Sequence, residues 1–317
     1  MNRRTMLTRL GAASVGARFA LGQGPPNKGA GKNSSQQAPE LQTLLTGLGF
    51  GESPRWHKNR LWFSNWGRQE VVAVDPKGKS EVMVRLPFAS FPFSIAWLPH
   101  GSLLIVSTSD RPLLRQQPDG SLVTHADLSG LPAQTWNEIV VDGRGNTYIN
   151  GGAMGANPAS GIIALVTSDG TVRQVADGLT FPNGMAVTPN NSTLVVAESF
   201  GNRLTAFDIA ANGSLSNRRV WADLKNGAPD GISVDAEGAI WYADVPNKRC
   251  VRVREGGEVL QTVNADRGCF ACMLGGRDRR TLFIMAAEWH GFEKMMEGLG
   301  SGQVLAVKAP AAGVGWP

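Results

Sequence analysis

The chain holds 317 residues, 42% hydrophobic and 18% charged, with 39 Gly and 18 Pro. A turn-former at about every sixth position excludes long helical bundles and coiled coils and favours many short strands, and no apolar run is long enough for an ordinary transmembrane helix. The formal net charge is +5, but residues 1–40 carry all of it, so a basic nucleic-acid groove has no electrostatic support.

At the N-terminus, Asn2-Arg3-Arg4-Thr5-Met6-Leu7 is a twin-arginine pattern, followed by an Ala- and Gly-rich stretch from Leu10 to Gly22. This predicts an export signal over residues 1–22 and a periplasmic or secreted protein; the alternative is a basic tail on a cytoplasmic one. Residues 23–40 are Gly, Pro, Asn, Ser and Gln without periodicity, the composition of a disordered linker.

From residue 41 the chain repeats a strand, a tight turn and a second strand. The units begin at Glu52, Phe93, Asn137, Asn183, Asp230 and Ala271. Within them, turns such as Pro99-His100-Gly101, Asp142 to Gly145 and Asp235 to Gly238 separate apolar runs. A second turn recurs in the first five units, at Gly78, Gly120, Gly170, Gly213 and Gly256-Gly257, where tight hairpins need positive φ. Four strands in every 40 to 50 residues are the mark of a propeller blade. The prediction is all-β: a six-bladed β-propeller over 41–317 with four-stranded blades. The sixth unit lacks a strand, and Leu41 to Thr46, the one unused apolar run, is expected to close it from the N-terminal side.

First strands line a propeller's channel, so the six unit-first residues should ring one mouth. Four of them carry side-chain oxygen: Glu52, Asn137, Asn183 and Asp230. Two carboxylates and two amides buried together are costly without a partner and suit one hard divalent cation, Ca²⁺ foremost. The plainer alternative is that these groups only hydrogen-bond strand ends across the channel. The long segments 151–160 and 288–302 open on the same face and are expected to wall a pocket. The neighbours Phe93, Trp136, Phe181, Met185 and Phe270 give that pocket an apolar character, although core packing is the default for each.

Other chemistries fit poorly. There is no G-x-S-x-G elbow and no H-E-x-x-H. Gly78-Lys79-Ser80 follows Ala73 where a P-loop needs Gly, so it reads as a hairpin. Cys269-Phe270-Ala271-Cys272 lacks a second pair or a nearby His and reads as core, and three Cys give no disulfide framework. His57, His100, His125 and His290 are scattered and are expected at the surface.

Gly51-Glu52-Ser53-Pro54-Arg55-Trp56, Trp136-Asn137-Glu138, Phe181-Pro182-Asn183-Gly184, Pro229-Asp230-Gly231 and Trp241-Tyr242-Ala243-Asp244 resemble, in order, the motifs of the senescence-marker-protein/gluconolactonase family. The resemblance spans roughly residues 44–310. It implies a six-bladed propeller with one divalent metal on its axis, and hydrolysis of lactones, with relatives that cleave organophosphates and other esters. Carried over by residue, it implies Glu52, Asn183 and Asp230 as metal ligands, Asn137 facing metal and substrate, and Asp230 as general base. The metal is expected to be Ca²⁺, with Zn²⁺, Mg²⁺ or Mn²⁺ as alternatives. Thr135 stands where sugar-lactone members carry an Arg, which points away from aldonolactones. Thr135, Trp136, Asn137 and Phe93 are therefore the expected substrate-binding residues, and apolar lactones or aryl esters the expected substrates. A phosphotriesterase on the same ring and a non-catalytic binding propeller are the rival readings, since fold does not fix function. A monomer or weak oligomer acting on a small lactone or ester, with no nucleic-acid or membrane partner, is expected.

Overall fold

The computed structural model describes residues 40–87, 90–108, 113–133, 135–152 and 159–316. The leader 1–22 and all of the linker but Glu40 lie outside them. No helix among the described residues is long and apolar enough to cross a membrane.

The described residues form six four-stranded antiparallel sheets. Blade 1 is Gly51–His57, Arg60–Asn65, Glu70–Val74 and Ser80–Arg85. Blade 2 is Phe93–Trp97, Leu103–Ser107, Leu113–Gln116 and Leu122–Ala126. Blade 3 is Thr135–Val141, Thr147–Gly152, Gly161–Val166 and Val172–Leu179. Blade 4 is Pro182–Val187, Thr193–Glu198, Arg203–Ile209 and Leu215–Asp223. Blade 5 is Pro229–Val234, Ile240–Asp244, Arg249–Val253 and Val259–Asn264. In blade 6, Gly268–Gly275, Thr281–Ala287 and Gly302–Lys308 are completed by Gln42–Leu48. That N-terminal strand runs antiparallel to the third, with Gln42 opposite Ala306 and Leu48 opposite Gly302. The fold is thus the expected six-bladed β-propeller, closed by the chain's own N-terminal strand.

Strands inside a blade are covered on both faces by neighbouring blades, so the third strands Glu70–Val74 and Gly161–Val166 are buried throughout. Outer strands such as Ser80–Arg85 are largely exposed. Every junction between blades has its own apolar cluster. Leu104 and Val106 pack with Ile139 and Ile149 between blades 2 and 3; Ala186 and Val195 pack with Ile232 and Tyr242 between blades 4 and 5; Leu61 and Val72 pack with Met273 and Phe283 between blades 1 and 6. The predicted turn glycines adopt the left-handed φ their hairpins require, including Gly120 at 87° and Gly213 at 79°.

The segment after Lys308 forms a second closure. Ala309 N donates to Arg280 O and Gly313 N to Arg279 O in blade 6; Ala236 N donates to Ala312 O in blade 5; Val187 and Trp316 exchange two backbone hydrogen bonds in blade 4. The segment straps the ends of the inner strands on the face opposite their starts. A shortened chain beginning at Leu41 should melt within about 2 °C of the full chain, while one beginning at Gly49, or one ending at Lys308, should melt at least ~5 °C lower, because each exposes a buried blade edge or inner strand ends. Calorimetry of the three truncations checks this, and equal melting of all three would refute the closure roles.

Candidate functional site

The ring residues start the first strands, and a local irregularity aims them. In blades 3, 4, 5 and 6 the pairing of the first two strands slips near its start, between Trp136 and Ile139, Pro182 and Met185, Pro229 and Ile232, and Cys269 and Ala271. Blade 1 slips likewise between Glu52 and Arg55. Such bulges turn a side chain that regular pairing would bury between blades. Blade 2 has no slip: Phe93 pairs regularly with Ser107.

Glycine lets the strands converge. A Cβ on Gly184 would sit 2.5 Å from Asp230 O, and one on Gly231 2.5 Å from Ala271 Cβ. The Asn183-Gly184 and Asp230-Gly231 pairs are therefore close-approach positions on the axis, not turns. Buried side chains at the ends of second strands fix the incoming connectors. Gly49 N donates to Asn65 Oδ1 (2.9 Å), Thr180 N to Glu198 Oε2 (2.6 Å) and Ala228 N to Asp244 Oδ1 (3.3 Å). Arg203 and Arg249 neutralise the two carboxylates, each at 2.9 Å.

These elements surround a cavity of about 300 Å³ that receives Glu52, Asn137, Asn183 and Asp230 together. Asn137 Nδ2 donates to Asn183 Oδ1 (3.3 Å), and Asn183 Nδ2 faces Ser199 Oγ (3.4 Å). Ser199 in turn donates to Pro229 O (2.7 Å). Glu52 is buried, and its Oε2 accepts from Ser53 N (3.1 Å). Asp230 is half-buried, but its Oδ1 is sealed from solvent and has no hydrogen-bond partner. An orphaned, sealed carboxylate oxygen is costly unless a cation or proton meets it.

The electrostatics agree. Burial first, then the carboxylates of Asp230 and Glu138, hold Glu52 well above the usual carboxylate range. Burial and Glu138 do the same to Asp230. Among the described residues no three His, Cys, Asp or Glu side chains gather as a metal cluster. A cation here would complete its shell with amide oxygens and water, a donor set that fits a hard divalent ion.

The structure divides the remaining expected residues. Thr135 lines the cavity, but its hydroxyl donates to Gly152 O (2.9 Å). Phe93 and Trp136 do not line it. Phe93 packs with Phe50, Trp66 and Ile95, its pairing unbulged, and Trp136 packs with Leu104 and Ile139. Both are core residues, not the substrate contacts their spacing suggested. In blade 6 the cavity receives Phe270, while Ala271 joins the apolar cluster against blade 1, a shift of one residue made by the bulge. Phe181 lines the cavity and Met185 is core.

Much of the wall was missed by the sequence reading: Trp66, Phe200, Val245 and Trp289, with Phe91 and Met295 beside them. The first four sit one or two residues after the second strand of blades 1, 4, 5 and 6, so an apolar residue at that repeat position was the overlooked signal. Phe181 and Phe200 stack at 4.4 Å, and Phe270 meets Trp289 edge-on at 5.8 Å. No Lys, Arg or His lines the cavity among the described residues. The three Cys are free and buried. His290 is at the surface, 3.5 Å from Glu288, whereas His57 is half-buried and stacks on Trp97.

The model of the SMP-30/Gluconolactonase/LRE-like region matches residues 50–288. Regucalcin from Xenopus laevis is 28% identical over 254 residues, covering 75% of this chain and 83% of that protein. Pentonolactonase XacC from Haloferax volcanii is 26% identical over 245 residues, covering 69% and 81%. The crystal structure of regucalcin from Agrobacterium tumefaciens, a calcium-binding protein, superposes with a TM-score of 0.70 at 24% identity over 86% of this chain and 96% of that one. With its propeller complete and its family region matched over most of its length, the chain belongs to the SMP-30/gluconolactonase/LRE-like family of lactonases and related hydrolases.

Proposed function

We propose that this protein hydrolyses apolar lactones or related esters with one divalent cation, Ca²⁺ in the first instance, held by Glu52, Asn183 and Asp230. The observation that carries the reading is the sealed, partnerless Asp230 Oδ1 beside buried Glu52 in an aromatic-walled cavity. When bound, the ion supplies Lewis acidity that polarises the scissile carbonyl and offsets its developing negative charge.

The chain's own groups do the rest. With Oδ1 turned inward, Asp230 Oδ2 is the atom that takes the proton of the attacking water. Burial makes this carboxylate a stronger base than a surface one, and a neighbouring cation moderates that gain. Asn137, tied to Asn183, orients the substrate's carbonyl or ring oxygen. The aromatic walls exclude water and hold the apolar body of the substrate, at roughly 25 cal/mol per Å² buried. Thr135, its proton committed to Gly152 O, offers no charged donor to sugar hydroxyls.

Asp230→Asn should lower kcat/KM about 100-fold or more, and Asn183→Ala should weaken calcium binding about tenfold; turnover and titration calorimetry check these, and an Asp230→Asn enzyme with intact turnover would remove the mechanism.

Without metal, the raised carboxylates give a signed pH dependence. A carboxylate raised in the folded state favours folding below its unfolded pKa, and that contribution is lost as pH rises through the folded value. In chelator, stability should therefore fall as pH rises above the ordinary carboxylate range, and Glu52→Gln should flatten that slope and raise Tm on its high-pH side by ~2–4 °C. Calcium should raise the wild-type Tm most at the higher pH. Thermal scans with and without chelator measure all three effects.

On substrates, kcat/KM for a neutral aryl lactone should exceed that for gluconolactone by about tenfold or more, and Phe200→Ala should erode this preference. A clear preference for gluconolactone would overturn the assignment of an apolar substrate.

A further inference from the structure

A buried ion pair lies directly beneath the ring, and the hydrolytic reading gives it no task. Arg55 and Glu138 are both 6% exposed. Arg55 Nη2 donates to Glu138 Oε1 (2.8 Å) and to Ile139 O (2.6 Å), and Nη1 to Pro54 O (2.9 Å). Glu138 Oε1 also accepts from its neighbour's Ile139 N (2.8 Å) and from Ser53 Oγ (3.1 Å). Ser53 joins this pair to the ring, because its N–H donates to Glu52 Oε2 (3.1 Å) while its hydroxyl meets Glu138. Ser53 is fully buried in the left-handed region at φ 51°, a conformation costly for a non-glycine residue and held here by Ile95 N donating to its Oγ (3.0 Å). On the far side, Glu138 N donates to Asn150 Oδ1 (3.1 Å), and the Asn150 amide donates to Asn183 O. The pair thus reaches both Glu52 and Asn183 through single residues.

Among the charged groups that act on Glu52 are Asp230, Glu138 and Arg55, the last two tied to it through Ser53 and the ion pair. With Glu52 itself, and with every one of them ionised, they make three carboxylates and one guanidinium, a net charge of −2. Glu138 alone would make the site trianionic, and Arg55 returns it to the charge that one divalent ion cancels.

We propose that the Arg55–Glu138 pair sets the charge selectivity of the ring, matching it to a divalent ion and against a trivalent one. This rests on the metal reading above but not on any substrate or turnover. Buried charges act strongly across short distances, so the net charge should govern which valence is preferred. Arg55 and Glu138 are positioning residues that touch neither ion nor substrate.

The test measures binding of Ca²⁺ and La³⁺ to the full chain by competition calorimetry. Glu138→Gln, close in shape and leaving −1, should weaken Ca²⁺ about tenfold and lower the La³⁺-to-Ca²⁺ affinity ratio about tenfold. Arg55→Met, leaving −3, should raise that ratio about tenfold, and the double variant should return it to within about threefold of wild type. A merely structural role would weaken both ions together and leave the ratio unmoved. If Arg55→Met does not fold, the ratio in Glu138→Gln decides alone. A wild-type chain that binds calcium, with an unchanged ratio in Glu138→Gln, overturns this proposal only. A wild-type chain that binds neither ion overturns the metal reading with it.

Discussion

The constraint on which this molecule turns is excess negative charge held where water cannot solvate it. Glu52, Glu138 and Asp230 converge near the axis with the Arg55 guanidinium acting among them. Left to themselves, such groups would separate or take up protons. They cannot separate, because each is fixed to a first strand and six apolar clusters between blades hold the first strands in register, so the carboxyls of Glu52 and Asp230 are instead held well above the usual carboxylate range. Stability stored in packing at the junctions is what lets the axis remain unfavourable, the usual relation between a rigid scaffold and a strained site.

The fold was legible because it repeats. Six similar units made the period, the turns and the missing sixth-blade strand visible together, and Gln42–Leu48 lies where the unpaired edge required a partner. The polar ring was legible for the same reason: Glu52, Asn137, Asn183 and Asp230 hold equivalent places, and all four reach one cavity. Where the repeat is broken, legibility fails. The unbulged pairing of Phe93 sends it into the core, and the bulge before Ala271 gives its expected place to Phe270. A bulge leaves no mark in residue spacing.

Two further features were out of reach for a different reason. The Arg55–Glu138 contact joins residues 83 apart in blades that are not neighbours, and no local pattern announces such a pair. The segment after Lys308 is rich in Ala, Gly and Pro and carries no strand period, yet its backbone groups bond across blades 4 to 6. Its information is carried by main-chain hydrogen bonds, which side-chain composition does not encode.

That strap also decides orientation. Inner strands start at the cavity and end at the turns near Asn191 and Gly238, which is the face where Val187 and Asp235 meet Trp316 and Gly313. Gln42, opposite Ala306 and well below Gly302 and its neighbour Leu48, enters the propeller toward that same face. The polypeptide therefore joins and leaves the ring on the side away from the cavity mouth. Tethered to a bead, a lipid or a fused domain by either end of the propeller, the molecule stands mouth outward. Its substrate approaches from open solution, and the anchor does not shade the entrance.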